Sequence, residues 1–270
     1  MNLRTALLQG TGLLEQNDVI APRLTAEVLL GHAVHCDRAY FYAHPEQELR
    51  EVEWIHYGRY LHERIAGKPT QYITKKQEFY GREFRVTPDV LIPRPETELL
   101  VETALKYARG LTIDVGTGSG AVAVTLAIET GAPLIATDLS PQALAVAQTN
   151  AAALNARVQF IQADLLELFA DSAAYLIVSN PPYVPLNAGL QREVRDYEPH
   201  LALFAGATGL EIYQRLIPQA RRVLKPGGTL ALELGFSMAT QVAAMVASWR
   251  NVQVLPDLAG IPRVLVCEKP

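Results

Sequence analysis

The chain is poor in cysteine, in charge and in long apolar runs. Cys36 and Cys267 are the only cysteines among 270 residues. Two thiols cannot build a disulfide framework or a cysteine-based zinc site. Charged residues make up only 19%, with 24 Lys plus Arg against 28 Asp plus Glu. The net charge of -4 lacks the basic excess that a large polyanion-binding surface needs. No stretch approaches the ~18 uninterrupted apolar residues of a membrane span. The opening residues, Met1-Asn2-Leu3-Arg4 followed by Gln9, Glu15 and Asp18, do not read as a signal peptide. These absences lead to the expectation of a cytoplasmic protein with no membrane partner and no direct nucleic-acid partner.

What is present is an apolar fraction of 49%, enough to close a sizeable core. At ~150 residues per domain the length suggests about two domains. Five of the six histidines fall at or before His62. There, apolar residues recur at helical spacing through Leu7–Leu14, Ala26–Leu30 and Glu53–Ile65, Pro22 suits a helix start, and Gly67-Lys68-Pro69 is a stop. His32 and His35 lie three apart without the acidic partner of an HExxH site, so no metal is assigned. We read residues 1–74 as a small helical domain.

From Gln71 the period shifts towards two. Gln71-Tyr72-Ile73 and Glu83–Val86 read as short strands around a Tyr80-Gly81 turn, making residues 75–92 a hairpin connector. Pro93 to Glu98 then opens a helix to about Ala108, with Thr97 or Glu96 as its cap. Beyond Leu111, strands and helices alternate. That rhythm predicts a mainly parallel sheet covered on both faces over residues 93–270.

Two motifs sit at strand ends. Asp114-Val115-Gly116-Thr117-Gly118-Ser119-Gly120 spans a strand-to-helix turn, where glycines let the backbone approach a ligand. Asp138, 24 residues after Asp114, ends the next strand and can accept from ribose hydroxyls. The spacing is GxGxG with a leading acid, not the pyrophosphate-binding GxGxxG or a P-loop. Asp114 suits a cationic ligand such as the amino-sulfonium tail of S-adenosyl-L-methionine; the bland alternative is a tight structural turn. Asp164, with Leu165 beside it, has two readings: an acceptor for an adenine edge, or a cap for a following short helix.

The second motif is Asn180-Pro181-Pro182-Tyr183, directly after the apolar strand Tyr175–Ser179. Two prolines make a rigid elbow. The Asn180 side-chain oxygen and the Pro181 carbonyl can accept both N–H groups of a planar NH2, and Tyr183 offers a face for stacking. Such a site suits methylation of a weakly nucleophilic, conjugated nitrogen by positioning and electrostatics. The bland alternative is a loop-starting turn.

These two motifs together resemble the class I S-adenosyl-L-methionine-dependent amino-methyltransferases. Three more features resemble the HemK/PrmC group of release-factor glutamine N5-methyltransferases: Val90–Glu98 with Ile92-Pro93-Arg94-Pro95-Glu96-Thr97-Glu98, Glu198-Pro199 with its downstream segment, and a helical N-terminal domain. The resemblance implies a seven-stranded, Rossmann-like methyltransferase domain behind a smaller substrate-recognition domain joined by a β-hairpin. It implies the Gly-Gly-Gln glutamine of class 1 release factors as substrate. It places the cofactor at Asp114, Gly116, Thr117, Gly118, Ser119, Gly120, Asp138, Asp164, Leu165 and Asn180. Asn180, Pro181 and Tyr183 would be catalytic; Pro182, Arg94 and Glu96 would join them around the substrate. Arg94 equally suits pairing with Glu96 or Glu98. Lys75-Lys76 and Ala205–Thr208 depart from that group's pattern.

Competing readings are an N6-adenine or N2-guanine nucleic-acid methyltransferase, a ribosomal-protein glutamine methyltransferase, and a non-catalytic binding protein. Residues 1–80 carry 9 basic against 10 acidic side chains, and residues 81–270 carry 15 against 18. Neither part is basic, which favours a protein substrate. A monomer is expected.

Overall fold

The structure, a computed structural model, describes residues 1–270. The chain divides into two compact units: 1–76 with 190–197, and 77–189 with 198–270.

The first unit is helical: α1 (Leu3–Glu15), α2 (Pro22–Val34), α3 (Arg38–Ala43), α4 (Glu51–Ile65) and α5 (Thr70–Thr74). The Asn2 side chain caps α1 by accepting from Thr5 N, and Pro22 opens α2, as expected from their preference for helix starts. Leu3, Leu7, Leu14, Leu29, Leu30 and Tyr57 meet in its core. Gln71–Ile73 is helix here, not strand. The Pro69 carbonyl accepts from Tyr72 N and Ile73 N, and Tyr72, Ile73 and Thr74 are buried in succession. A half-exposed strand would bury only alternate residues.

The second unit begins with a hairpin, β1 (Lys76–Phe79) and β2 (Arg82–Arg85), whose turn is the anticipated Tyr80-Gly81. A 3-10 turn over Pro95–Thr97 leads into α6 (Glu98–Leu105), shorter than expected. Neither proposed cap forms: Thr97 stands at the cap position without a capping bond. There follow β3 (Thr112–Val115), α7 (Ala121–Thr130), β4 (Leu134–Asp138), α8 (Pro141–Ala153), β5 (Gln159–Gln162), β6 (Ala174–Ser179) and the short β7 (Val184–Pro185). Next come α9 (Arg192–Tyr197), which folds with the first unit, and α10 (His200–Leu203). The chain ends with β8 (Phe204–Gly206), α11 (Glu211–Val223), β9 (Leu224–Glu233), α12 (Ala239–Met245), β10 (Arg250–Pro256) and β11 (Pro262–Glu268).

Seven strands form one sheet in the order β10-β11-β9-β6-β3-β4-β5. The five strands from β9 to β5 run parallel, and β11 and β10 are antiparallel additions. Apolar clusters cover both faces, one around Val124, Leu126 and Val178, the other around Ile177, Leu216 and Leu232. The near-continuous burial of β3 and β6, and the apolar run of β6, follow from that double coverage. The chain leaves β3 towards β4 and β5, then returns to place β6 on the other side of β3. Such a reversal opens a crevice at the carboxyl ends of the strands, where ligands of doubly wound sheets bind.

Candidate active site

Strand register assembles the site. Val115 pairs with Thr137 of β4 and Ser179 of β6, and Ser179 pairs with Leu232 of β9. The next residues, Gly116, Asp138, Asn180 and Glu233, therefore leave four adjacent strands at one level. Ser179 Oγ donates to Val115 O at 2.7 Å, tying the two central strands at that edge.

The glycine-rich turn is held by its own backbone. Gly116 N and Thr117 N donate to Thr137 O at 2.8 and 2.9 Å. Gly118 N donates to Asp138 Oδ2 at 2.8 Å, and Ser140 N to Asp138 Oδ1 at 2.9 Å. Each carboxylate oxygen keeps a lone pair for a further donor. Asn150 of α8 anchors the turn from behind: its Nδ2 donates to Ser119 O and Arg85 O, and its Oδ1 accepts from Arg85 N.

The three glycines do different things. Gly116 and Gly118 have positive φ, and a Cβ on either would meet nothing within 4 Å. Their missing side chains leave room on the ligand side. A Cβ on Gly120 would stand 3.1 Å from Ala147 Cβ, so Gly120 lets α7 and α8 pack closely and is not a wall of the cavity.

That cavity encloses about 380 Å³. Asp114, Gly116, Thr117, Gly118, Ser119, Asp138, Asp164, Leu165, Asn180, Pro182 and Arg94 line it, and so does Thr97. Gly120, Pro181, Tyr183 and Glu96 are not part of the wall. Pro181 is buried, Glu96 is exposed, and Tyr183 is half-buried, packed against the apolar core with its ring beside Gly235.

The two acids nearest the glycines are short of compensation. Burial pushes Asp114 up to about 7, against the Thr117 hydroxyl bond and helped by the charge of Asp138. Burial also raises Asp138, against backbone bonds from Ser140 and Gly118. Neither forms an ion pair with a side chain of the protein. An adenosyl ligand carrying a cationic sulfonium and amine fits this donor set: Asp138 can take hydroxyl donors, and positive charge beside Asp114 offsets its desolvation.

Two expectations need correction. Arg94 pairs with neither Glu96 nor Glu98; its Nη2 donates to Glu198, which is buried and also accepts from Ile92 N at 3.2 Å. Glu198 thus clamps the loop that walls the site. Glu98 instead accepts from Tyr80 N at 2.8 Å, fixing the hairpin. Asp164 caps no helix, because a run of turns follows it. Its Oδ2 accepts from Arg215 Nη2 at 2.7 Å. Leu165 beside it adopts φ 53°, a left-handed conformation costly for a branched side chain.

The sequence reading missed Thr97, Glu198 and Glu233. Thr97 and Glu198 lie inside segments singled out for other reasons. Glu233 could be found from register alone, as the residue level with Asn180 one strand over. Asn180 Nδ2 donates to Thr97 Oγ1 at 3.2 Å, leaving Asn180 Oδ1 as the acceptor on the cavity side.

Comparison with known proteins identifies the fold and the family. Residues 5–74 match the family model of the PrmC N-terminal domain, and residues 95–194 that of the methyltransferase small domain. A methyltransferase from Pyrococcus furiosus superposes with a TM-score of 0.54 at 20% identity, over 74% of this chain and 93% of that one. The 16S rRNA N2 G1207 methyltransferase of T. thermophilus, solved with AdoMet and guanosine, gives 0.52 at 22% identity over 72% and 50%. The fold is that of the Rossmann-like methyltransferases. The release factor glutamine methyltransferase of Koribacter versatilis is 48% identical across 100% of this chain and 99% of that protein. That of Moorella thermoacetica is 45% identical across 97% of each. This chain belongs to the release factor glutamine methyltransferase family.

Proposed function

We propose that the protein transfers a methyl group from S-adenosyl-L-methionine to the side-chain amide nitrogen, N5, of the glutamine in the Gly-Gly-Gln motif of class 1 release factors. The observation that carries this reading is Asn180. Its NH2 is committed to Thr97, so its Oδ1 faces the cavity as an acceptor, level with the glycine-rich turn. Full-length similarity to release factor glutamine methyltransferases supports the choice of substrate.

When bound, S-adenosyl-L-methionine supplies an electrophilic methyl on a cationic sulfonium and leaves as a neutral thioether. Gly116 to Ser119 and Asp138 would hold the adenosyl portion, Asp114 would offset the charge of the cationic tail, and Asp164 and Leu165 would border the base. Asn180 Oδ1 and the Pro181 carbonyl accept the two N–H bonds of the glutamine amide and aim its lone pair at the methyl. The same acceptors stabilise the positive charge that grows on nitrogen before a proton leaves. Pro182 keeps the elbow stiff, and the Tyr183 ring backs the amide. Arg94, held by Glu198, and Glu96 border the entrance for the peptide.

The proposal extends to the residue 1–74 region as the part that recognises the release factor. It extends also to a cytoplasmic monomer; no helix is long and apolar enough to cross a membrane. A nucleic-acid substrate is disfavoured by the acidic balance of both parts of the chain.

The test incubates the purified protein with labelled S-adenosyl-L-methionine and, separately, release factor, ribosomes and DNA. Label is expected on release factor; label on ribosomal protein or DNA alone would sink the reading. Asn180→Ala should lower kcat by about two orders of magnitude or more, on the scale of losing a preorganised transition-state contact, with cofactor binding retained. Undiminished turnover would remove Asn180 from the role.

A further inference from the structure

One buried acid stands next to this machinery without a part in it. Glu233 ends β9 level with Asn180, is 1% exposed, and has an Oε2 with no hydrogen-bond partner. The Thr97 and Tyr183 hydroxyls stand close to its carboxyl and favour its charged form. Thr97 in turn accepts from Asn180 Nδ2. The seat of Tyr183 is equally tight, since a Cβ on Gly235 would lie 2.9 Å from the ring's Cδ2.

From this geometry, and on the functional reading given above, we propose that Glu233 is a positioning residue. Through Thr97 it sets the orientation of the Asn180 amide, and through the Tyr183 hydroxyl it fixes the ring. The argument is one of hydrogen-bond direction. A hydroxyl has one proton and can accept elsewhere. When Glu233 is ionised it only accepts, so the Thr97 proton points at it. The Thr97 oxygen then receives Asn180 Nδ2, and Asn180 Oδ1 is left for the substrate's N–H. When Glu233 is protonated it can donate to Thr97 Oγ1. The Thr97 proton must then turn away, and the amide is free to present the NH2 group, which cannot accept.

Charge around the carboxyl supports a state that changes near neutrality. Burial pushes Glu233 up to about 7. The charged and titratable groups facing it are Arg263 from β11, Glu96 from the turn before α6, Tyr183, and Tyr213 from α11. Arg94 reaches this group through its effect on Tyr183. Arg263 is bonded to Asp257 at 3.0 Å and makes no ion pair with Glu233. Glu96 opposes ionisation, and burial holds Tyr183 and Tyr213 neutral by raising both phenols. No cation locks Glu233 in its charged form.

The test compares kcat and KM of wild type, Thr97→Val, Thr97→Ser and Glu233→Gln on release factor, from about pH 5.5 to about 9, with cofactor affinity measured alongside. Thr97→Val keeps the shape and removes the hydroxyl, and should lower kcat about tenfold, the scale of one lost directional hydrogen bond. Cofactor affinity should stay within about twofold, a change too small to mark a lost contact. Thr97→Ser, which restores the hydroxyl, should recover most of the loss. Wild-type kcat should rise with pH through about 7, and Glu233→Gln should lack that limb. Glu233→Gln keeps the volume and an acceptor, so it reads the same chain of bonds even if Thr97→Val folds poorly. Wild-type transfer with Thr97→Val equal to it, or with the acid limb intact in Glu233→Gln, overturns the positioning role alone. No wild-type transfer to release factor overturns the functional reading beneath it.

Discussion

Glu27 in the helical unit and Glu233 in the sheet unit are both 1% exposed, yet they titrate in opposite directions. Burial pushes Glu27 up, but hydrogen bonds from Arg23 and Tyr42 and the charge of Arg38 outweigh it and hold the carboxyl below its ordinary value. Arg23 Nε and Arg38 Nε lie 2.8 and 2.7 Å from its oxygens. Glu233 has two nearby hydroxyls and no ion pair, and rises. Two arginines hold Glu27 as an ionised tie between α2 and α3, although its Oε2, like that of Glu233, lacks a hydrogen bond. An under-compensated acid beside a cavity is the kind that active sites retain, and Asp114 is a second one at the same sheet edge.

The comparison breaks most visibly if Glu27 loses its cations. Arg23→Ala with Arg38→Ala leaves a buried carboxylate without compensation, and such removals cost about 3 kcal/mol. Denaturant unfolding of the helical unit should show that loss near neutral pH. It should shrink as pH falls, because the unpaired acid then protonates more readily than in wild type. A variant as stable as wild type at pH 7 would mean that Glu27 is solvated and not held by its arginines.

Glu233→Gln should act with the opposite sign. The folded-state value of Glu233 lies above its ordinary 4.5, at about 7. Between those values the folded protein holds a proton that the unfolded chain has released, so wild-type stability falls as pH rises through the window. A neutral amide escapes that fall. The variant should match wild type near pH 4 and exceed it by up to about 3 kcal/mol above pH 7, read as a Tm difference that grows with pH. A constant difference would place the ionisation elsewhere. Together with a lost acid limb in kcat, greater stability would mark Glu233 as kept for function at a cost to the fold.

Much of this was legible in the sequence because it is local. The strand-helix alternation, the Pro22 start of α2, the glycine-rich turn after β3 and the Asn-Pro-Pro-Tyr elbow after β6 are set by neighbouring residues. Failures came where a distant partner decides. Thr97 looked like a helix cap until Asn180, 83 residues away, took its oxygen. Arg94 had two acids within four residues and bonds instead to Glu198, 104 residues on. Gln71–Ile73 has a strand's composition, but Pro69 starts a helical turn and the core takes three residues in a row. Glu233 sits in an unremarkable apolar strand, and only parallel register brings it level with Asn180.

The smallest expected effect concerns Asp164, an acid of a third kind. It is paired, like Glu27, but the pair is open to water, with 36% of its side chain and 46% of Arg215 exposed. Exposed pairs contribute about 0–1 kcal/mol, so Arg215→Ala should leave the unfolding midpoint almost unmoved. Asp164→Ala should be equally mild for stability, which makes ligand affinity a clean readout. If the carboxylate accepts from an adenine amine, Asp164→Ala weakens S-adenosyl-L-methionine binding about tenfold, one charge-assisted hydrogen bond, while Arg215→Ala does not, because the acceptor survives. If Asp164 serves only to hold Arg215, the two variants behave alike in calorimetric titration. The acid nearest to solvent would then be the one that neither the fold nor the ligand needs, and the uncompensated pair at Asp114 and Asp138 would carry the charge recognition of this cavity.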